Sequence, residues 1–227
     1  MKLSQIVKQC CIRVGDPVPT NVFSDEDSSR EWLGYVSQAS QQIIREHSWQ
    51  RLCKIGQITA TDGTIEYDLP DDFEQIISYW IYNKTKDEYI NIADDDTFNQ
   101  LDEADDPAFL IIGGKFRFSK PIDAGSVLVY QYKINSVCKY TDENDNVEYK
   151  PMFSNEDDEF LLDPELLVLK SIALRSQNLE FADYQTRIAD YERYLEMKVV
   201  SDGANIHKTM GGGFTIKTTP NEWSVVK

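Results

Sequence analysis

The chain has 227 residues, 41% of them hydrophobic and 11% aromatic, with a formal net charge of −16. That is enough apolar material for a buried core, so disorder along the whole length is excluded, and the negative balance argues against a sequence-specific protein that grips DNA by its phosphates. Cys10, Cys11, Cys53 and Cys138 form no CxxC pair, and the adjacent Cys10 and Cys11 could bridge each other only with heavy strain, so reduced thiols are expected.

The first residues carry Lys8, Gln9 and Arg13 among their apolar positions, which leaves no signal-peptide core. No apolar run reaches the ~18 residues of a membrane span. The segment Leu3 to Val14 is amphipathic and runs into Gly15-Asp16-Pro17, a stop signal, so it reads as a short helix. A second helix begins near Ser24, with acids in its first turn, and places Trp32, Val36, Ala39, Ile43 and His47 on one stripe before ending at His47-Ser48-Trp49. A stripe that long must pack on other helices.

The texture then changes to strand. Segments 54–60 and 64–69 flank Thr61-Asp62-Gly63 and read as a hairpin that closes on Tyr67-Asp68-Leu69-Pro70-Asp71-Asp72-Phe73. Pro70 fixes its own φ and pushes Leu69 toward extended geometry, Asp71 and Asp72 can satisfy free backbone donors, and Phe73 returns the chain to the core. Further strands are expected at 75–83, 89–92, 110–119 with a turn at Gly113-Gly114, and 127–134, with a short helix over 96–102. Helix returns at Asp163-Pro164, where Leu166, Leu169, Ala173 and Ser176 form a stripe, and after a break near Asn178 a last helix repeats Tyr184, Ile188, Tyr191, Leu195 and Val199.

The expected fold class is therefore α+β: a helical bundle of about four helices, formed by residues 1–53 and 161–201, with an inserted antiparallel β domain over 54–160. Residues 202–227 follow as a flexible C-terminal arm. Its glycines and the Thr-rich Lys217-Thr218-Thr219-Pro220 cannot hold a helix, yet Phe214, Ile216, Trp223, Val225 and Val226 are apolar. Such an arm can order on a partner, adding a strand through Phe214-Thr215-Ile216-Lys217, or can fold back on its own domain.

The charge is uneven. Nine acids face one lysine between Lys86 and Asp106, ten face two between Val137 and Glu165, and the remaining acids and bases balance. Either these are solvated loops, or they line a surface that faces nucleic acid without holding it, since carboxylates repel phosphate. Asp94, Asp95, Asp96, Asp157, Asp158 and Glu159 are the candidates for such a surface.

Catalysis finds little support. Paired carboxylates could serve a glycosidase, but acids in hydrated runs stay ionised, whereas a general acid needs a desolvated carboxyl. His47 and His207 have no partner at zinc-ligand spacing, and Asp142, Asn144, Asn146 and Glu148 look only loosely like a calcium loop, lacking its glycine and distal glutamate. Gly211-Gly212-Gly213 follows no strand and opens no helix, so it is no phosphate loop. No catalytic residue, cofactor or metal is assigned.

The opening helix ending at Val14-Gly15-Asp16-Pro17, the long helix ending at His47-Ser48-Trp49, the turn Leu69-Pro70-Asp71-Asp72-Phe73 and the closing helix pair resemble the head-to-tail adaptors of short-tailed bacteriophages. That family is also called tail tubular protein A or the first connector ring. The resemblance spans roughly residues 1–200; the acidic run 141–159 departs from it. It implies a virion protein assembled in the host cytoplasm, a ring of about twelve copies beneath a portal protein and above a downstream tail or nozzle protein. It also implies that the C-terminal segment docks on the portal, and the apolar Phe214, Ile216, Trp223 and Val225 of the arm are the candidates for that contact. Trp49 matches the family's aromatic at the end of the long helix, and with Pro70 and Phe73 it is expected to join bundle and sheet. A tail-associated cell-wall hydrolase or a carbohydrate-binding module built on the β insertion is the alternative.

Overall fold

A computed structural model describes residues 1–101 and 106–202, together with the backbone of 206–208 and 214–216. The chain divides into two compact units, a helical one of Met1–Arg51 and Ser136–Lys227 and a β-rich one of Leu52–Asn135. It is mixed α+β, with five α-helices and one large sheet among the described residues.

The helical unit opens with α1 (Leu3–Val14), which stops where Gly15 takes a left-handed φ of 81° and returns its N–H to the Cys11 carbonyl at 2.9 Å. Helix α2 (Asp27–Glu46) buries Trp32, Val36, Ala39 and Ile43, the expected stripe, and the buried His47 lies just past its end.

In the β-rich unit the strands are β1 (Cys53–Thr59), β2 (Glu66–Asp68), β3 (Phe73–Ile76), β4 (Trp80–Asn83) and β5 (Glu88–Ile92). After the short α3 (Asp95–Phe98) come β6 (Ala108–Ile112), β7 (Lys115–Phe118) and β8 (Val127–Ile134). They form one sheet in the order β1-β8-β4-β5-β6-β7-β2, with β3 also on β8. Two expectations are corrected here. The segments flanking Gly63 do not make a hairpin: β1 pairs with β8 and β2 with β7, because the turn is local while the partners come from much later in the chain. The domain is also not purely antiparallel, since β5 and β6 run parallel across a connection long enough to carry α3. The Gly113-Gly114 hairpin between β6 and β7 is found, with both glycines at positive φ.

This sheet curls around its own aromatic core. The rings of Phe116 in β7 and Tyr130 in β8 lie 4.7 Å apart, although β4, β5 and β6 separate them in the sheet order. Phe109, Phe118, Ile81, Ile90 and Leu128 are buried in the same interior. Gly56 sits directly opposite Tyr130, and a Cβ there would come within 2.3–2.5 Å of the Tyr130 ring. That ring is held by Phe116 and Tyr132 and cannot swing aside freely. Gly56→Val is therefore expected to cost about 1–3 kcal/mol by overpacking, read as a fall in the near-ultraviolet melting temperature; an unchanged melt would show that the ring has room.

The chain re-enters the helical unit with β9 (Cys138–Thr141), β10 (Val147–Lys150) and β11 (Glu159–Phe160), a small antiparallel sheet ordered β10-β9-β11. It belongs with the helices, whereas the sequence reading carries the insertion on to residue 160. Then come α4 (Pro164–Asn178), α5 (Tyr184–Ser201), β12 (Ile206–Lys208) and β13 (Phe214–Ile216). The Asp163 carboxylate accepts the Glu165 N–H at 2.9 Å and caps α4, with Pro164 at its first position. Where the sequence reading expects a bundle of four, the observed feature is a hub: α4 packs on α1, α2 and α5. Leu166, Leu167, Val168, Ile172 and Ala173 are all buried in it, which is more than one stripe. In α5, by contrast, only Tyr191 and Val199 are buried.

Candidate assembly surfaces

The two acidic triplets singled out in the sequence fall in different units and behave differently. Asp94 caps α3, accepting the Thr97 N–H at 2.7 Å, and that bond holds its carboxyl below the usual range. Asp95 and Asp96 follow it in the first turn, and all three are exposed.

In the second triplet, Asp157 is half exposed and meets Lys2 at 2.8 Å, while Glu159 lies 3.7 Å from Lys139. Asp158 departs from the expectation altogether. It is 0% exposed, meets Lys150 Nζ at 3.0 Å, and accepts the backbone N–H groups of Ser154 at 2.7 Å and Asn155 at 2.8 Å. A carboxylate used up in this way presents nothing to DNA within this fold.

The loop that Asp158 shapes has a structural task. Its carbonyls at Glu156 and Asp158 accept the N–H groups of Ser4 at 3.1 Å and Leu3 at 2.8 Å, which α1 cannot satisfy internally. The Glu156 side chain takes the Val22 N–H at 2.5 Å. An acidic run thus clips the start of the chain to the small sheet.

Trp49 is buried, and its indole N–H donates to the Ile43 carbonyl at 2.8 Å, closing one of the free acceptors at the end of α2. Its ring meets His47 edge-on at 4.9 Å, also within the helical unit. In the β-rich unit the Pro70 carbonyl accepts the Phe73 N–H at 2.9 Å, forming a turn, and Phe73 stacks on Tyr132 at 5.6 Å. Asp72 does more than satisfy backbone. Its carboxylate accepts from Lys54 at 2.6 Å and Tyr132 at 2.9 Å; burial alone would raise its pKa, but these bonds outweigh it and hold the carboxyl low. Asp163 is lowered for the same kind of reason, with Lys198 at 2.6 Å as the main counterweight to burial.

The carboxyls of Asp72, Asp94, Asp142 and Asp163 are held below their ordinary value by hydrogen bonds and ion pairs, the wrong direction for a general acid. The thiols move the other way. Burial pushes Cys11 up to about 11, Cys138 up to about 12 and Cys10 higher still, so none supplies a thiolate near neutral pH. The calcium-like run is a turn: the Asp142 carboxylate accepts the N–H groups of Asn144 at 2.8 Å and Asn146 at 2.9 Å between β9 and β10. Among the described residues no group of three or more His, Cys, Asp or Glu is placed to hold a metal, and no helix is long and apolar enough to cross a membrane.

Of the arm residues, Phe214 and Ile216 lie in β13, which pairs with β12 of the same chain; Trp223 and Val225 fall outside the described residues. A feature not foreseen from the sequence is a cleft of about 350 Å³ between α4 and α5. At one end Lys170 bridges to Glu46 at 2.7 Å and lies over the Tyr191 ring at 4.4 Å, while the Tyr191 hydroxyl donates to Glu46. The half-buried positions of α5 were the available signal, but periodicity alone reads them as core.

A search of the curated proteins returns no match. The family model described as SU10 adaptor protein matches residues 1–205, across both units. With nine-tenths of the chain inside that match, the protein belongs to the SU10 adaptor family, a family of phage head-tail adaptors.

Proposed function

We propose that this chain is the structural connector between the portal and the tail of a phage particle. In this reading about twelve copies form a ring, as closed cyclic assemblies of one subunit do. Trp49, Pro70 and Phe73 serve this connector structurally and carry no chemistry. The observation that carries the reading is the family match, which runs through both units and is not confined to one of them. The ring contacts the portal on one side and a downstream tail or nozzle protein on the other, is assembled in the host cytoplasm and stays in the virion.

The exposed acids Asp94, Asp95, Asp96 and Asp157, with Glu159, face the DNA passage, where they repel phosphate and let the duplex slide without sequence-specific contact. Asp158 is left out because it is buried. The protein does no bond-breaking. The arm, through Phe214, Ile216, Trp223 and Val225, docks on the portal.

Mixing the purified protein with its portal and viewing the product by negative stain tests this directly. The expected result is a monomer or loose oligomer alone and a ring of about twelve subunits with portal. Deletion from Gly203 onward should leave a folded body and abolish portal attachment. Attachment at full strength without the arm would overturn the docking role, and hydrolysis of cell-wall polymer lost on single Asp or Glu changes would overturn the structural reading.

A further inference from the structure

We propose that in the unassembled protein the last segment of the arm, residues 217–227, occupies the cleft between α4 and α5 of its own chain. The cleft has an apolar floor of Ala173, Leu174, Ile188 and Leu195 and an acidic rim of Glu192 and Glu196. Those two glutamates stand one turn apart on α5, a spacing at which like charges repel. Neither forms an ion pair with a cation among the described residues. A ligand that fits therefore brings an apolar side chain for the floor and positive charge for the rim.

Residues 217–227 read Lys-Thr-Thr-Pro-Asn-Glu-Trp-Ser-Val-Val-Lys. Trp223, Val225 and Val226 match the floor, and Lys217 and Lys227 match the rim. The whole stretch from Gly203 carries three lysines against one glutamate, on a chain whose formal charge is −16. Opposite charge therefore draws the arm inward before any partner is present.

Reach decides between this chain and a second copy. Pairing of Ile206 with Ile216 returns the backbone to its point of departure, so position 217 starts no more than roughly 23 Å from Asp202. From there eleven residues can extend about 36 Å. Glu196 and Glu192 lie only about 9–15 Å back along α5 from Asp202. A tethered segment with that reach has an effective concentration on the order of millimolar, above that of any second copy in dilute solution.

The arm cannot fill this cleft and grip a portal at once, so on the connector reading the contact holds the arm in place until a larger surface takes it. The test needs no portal, and its failure is distinguishable from failure of that reading. Full-length protein carrying p-benzoylphenylalanine in place of Leu195, prepared as a mixture of ¹⁴N and ¹⁵N chains, is irradiated and mapped by mass spectrometry. A second variant carries the probe at Gln177, an exposed position on the opposite lip, in case the first misfolds. The expected crosslink joins the cleft to residues 217–227 within one isotopic species. Adding Glu192→Lys and Glu196→Lys should cut its yield at least about fivefold, as loss of two exposed ion pairs dictates. Crosslinks of mixed isotope, crosslinks only to other segments, or a yield unmoved by the charge reversal would each overturn the proposal.

Discussion

Asp158→Ala is expected to lower the stability of the helical unit by about 3–5 kcal/mol, the usual cost of removing one partner from a buried ion pair. The side chain is 0% exposed and Lys150 only 15%, so little water can move in to solvate the cation left behind. Lys150 also lies over the Tyr140 ring at 4.7 Å and donates to Ser154 at 3.1 Å, which holds it where the negative charge used to be. The N–H groups of Ser154 and Asn155 lose their acceptor at the same time. Urea unfolding followed by far-ultraviolet circular dichroism measures the loss. The double variant Asp158→Ala, Lys150→Met should recover part of it, because it removes the stranded charge as well. Hydrogen exchange adds a local signature: the Leu3 and Ser4 amides, bonded to the carbonyls of this loop, should lose protection before the rest of α1. A loss under 1 kcal/mol would mean that the loop holds its shape without the carboxylate.

The case of Asp158 also marks how far sequence reasoning reaches. Asp163-Pro164, Gly15 and Gly113-Gly114 announce their caps and turn through chemistry contained in a few adjacent residues, and each is found where expected. Among the four consecutive acids Glu156 to Glu159, local sequence cannot tell which one folds inward, because the answer depends on Lys150 and on the start of α1 at the other end of the chain. The pairing of β1 with β8 has the same character. The strand itself is plain from its residues, but its neighbour lies more than sixty positions away. The small sheet β10-β9-β11 escaped the sequence reading because β10 is only four residues long and faces solvent along most of its length, so its alternation Val147-Glu148-Tyr149-Lys150 marks no buried face. As for the candidate surfaces, the exposed acids were legible as charge. The α4–α5 cleft was not, because a half-buried stripe and a buried one share the same period.

Arg175 should rank beside Asp158 among single substitutions. It leaves α4 to meet Asp16 at 2.8 Å, just past α1, and Glu31 at 3.3 Å in α2. Its guanidinium lies over the rings of Trp32 at 4.9 Å and Phe181 at 5.7 Å. The Trp32 indole donates to the same Asp16 carboxylate at 3.2 Å, so one cation gathers the ends of three helices. Arg175→Ala removes the charge, the fork and the stacking together. Asp16 and Glu31 are 26% and 38% exposed, so water takes back part of their cost, and the expected loss is about 2–3 kcal/mol, below the full figure for a buried pair. Arg175→Lys keeps the charge but cannot address two carboxylates while lying flat on Trp32, and should lose about 1–2 kcal/mol. A double-mutant cycle with Asp16→Asn separates the ion pair from the stacking. A coupling near zero would assign the stability to the aromatic contact alone. A coupling above about 1 kcal/mol would make Asp16, in the Gly15-Asp16-Pro17 signal that ends the first helix, the residue through which α1 is locked to the hub.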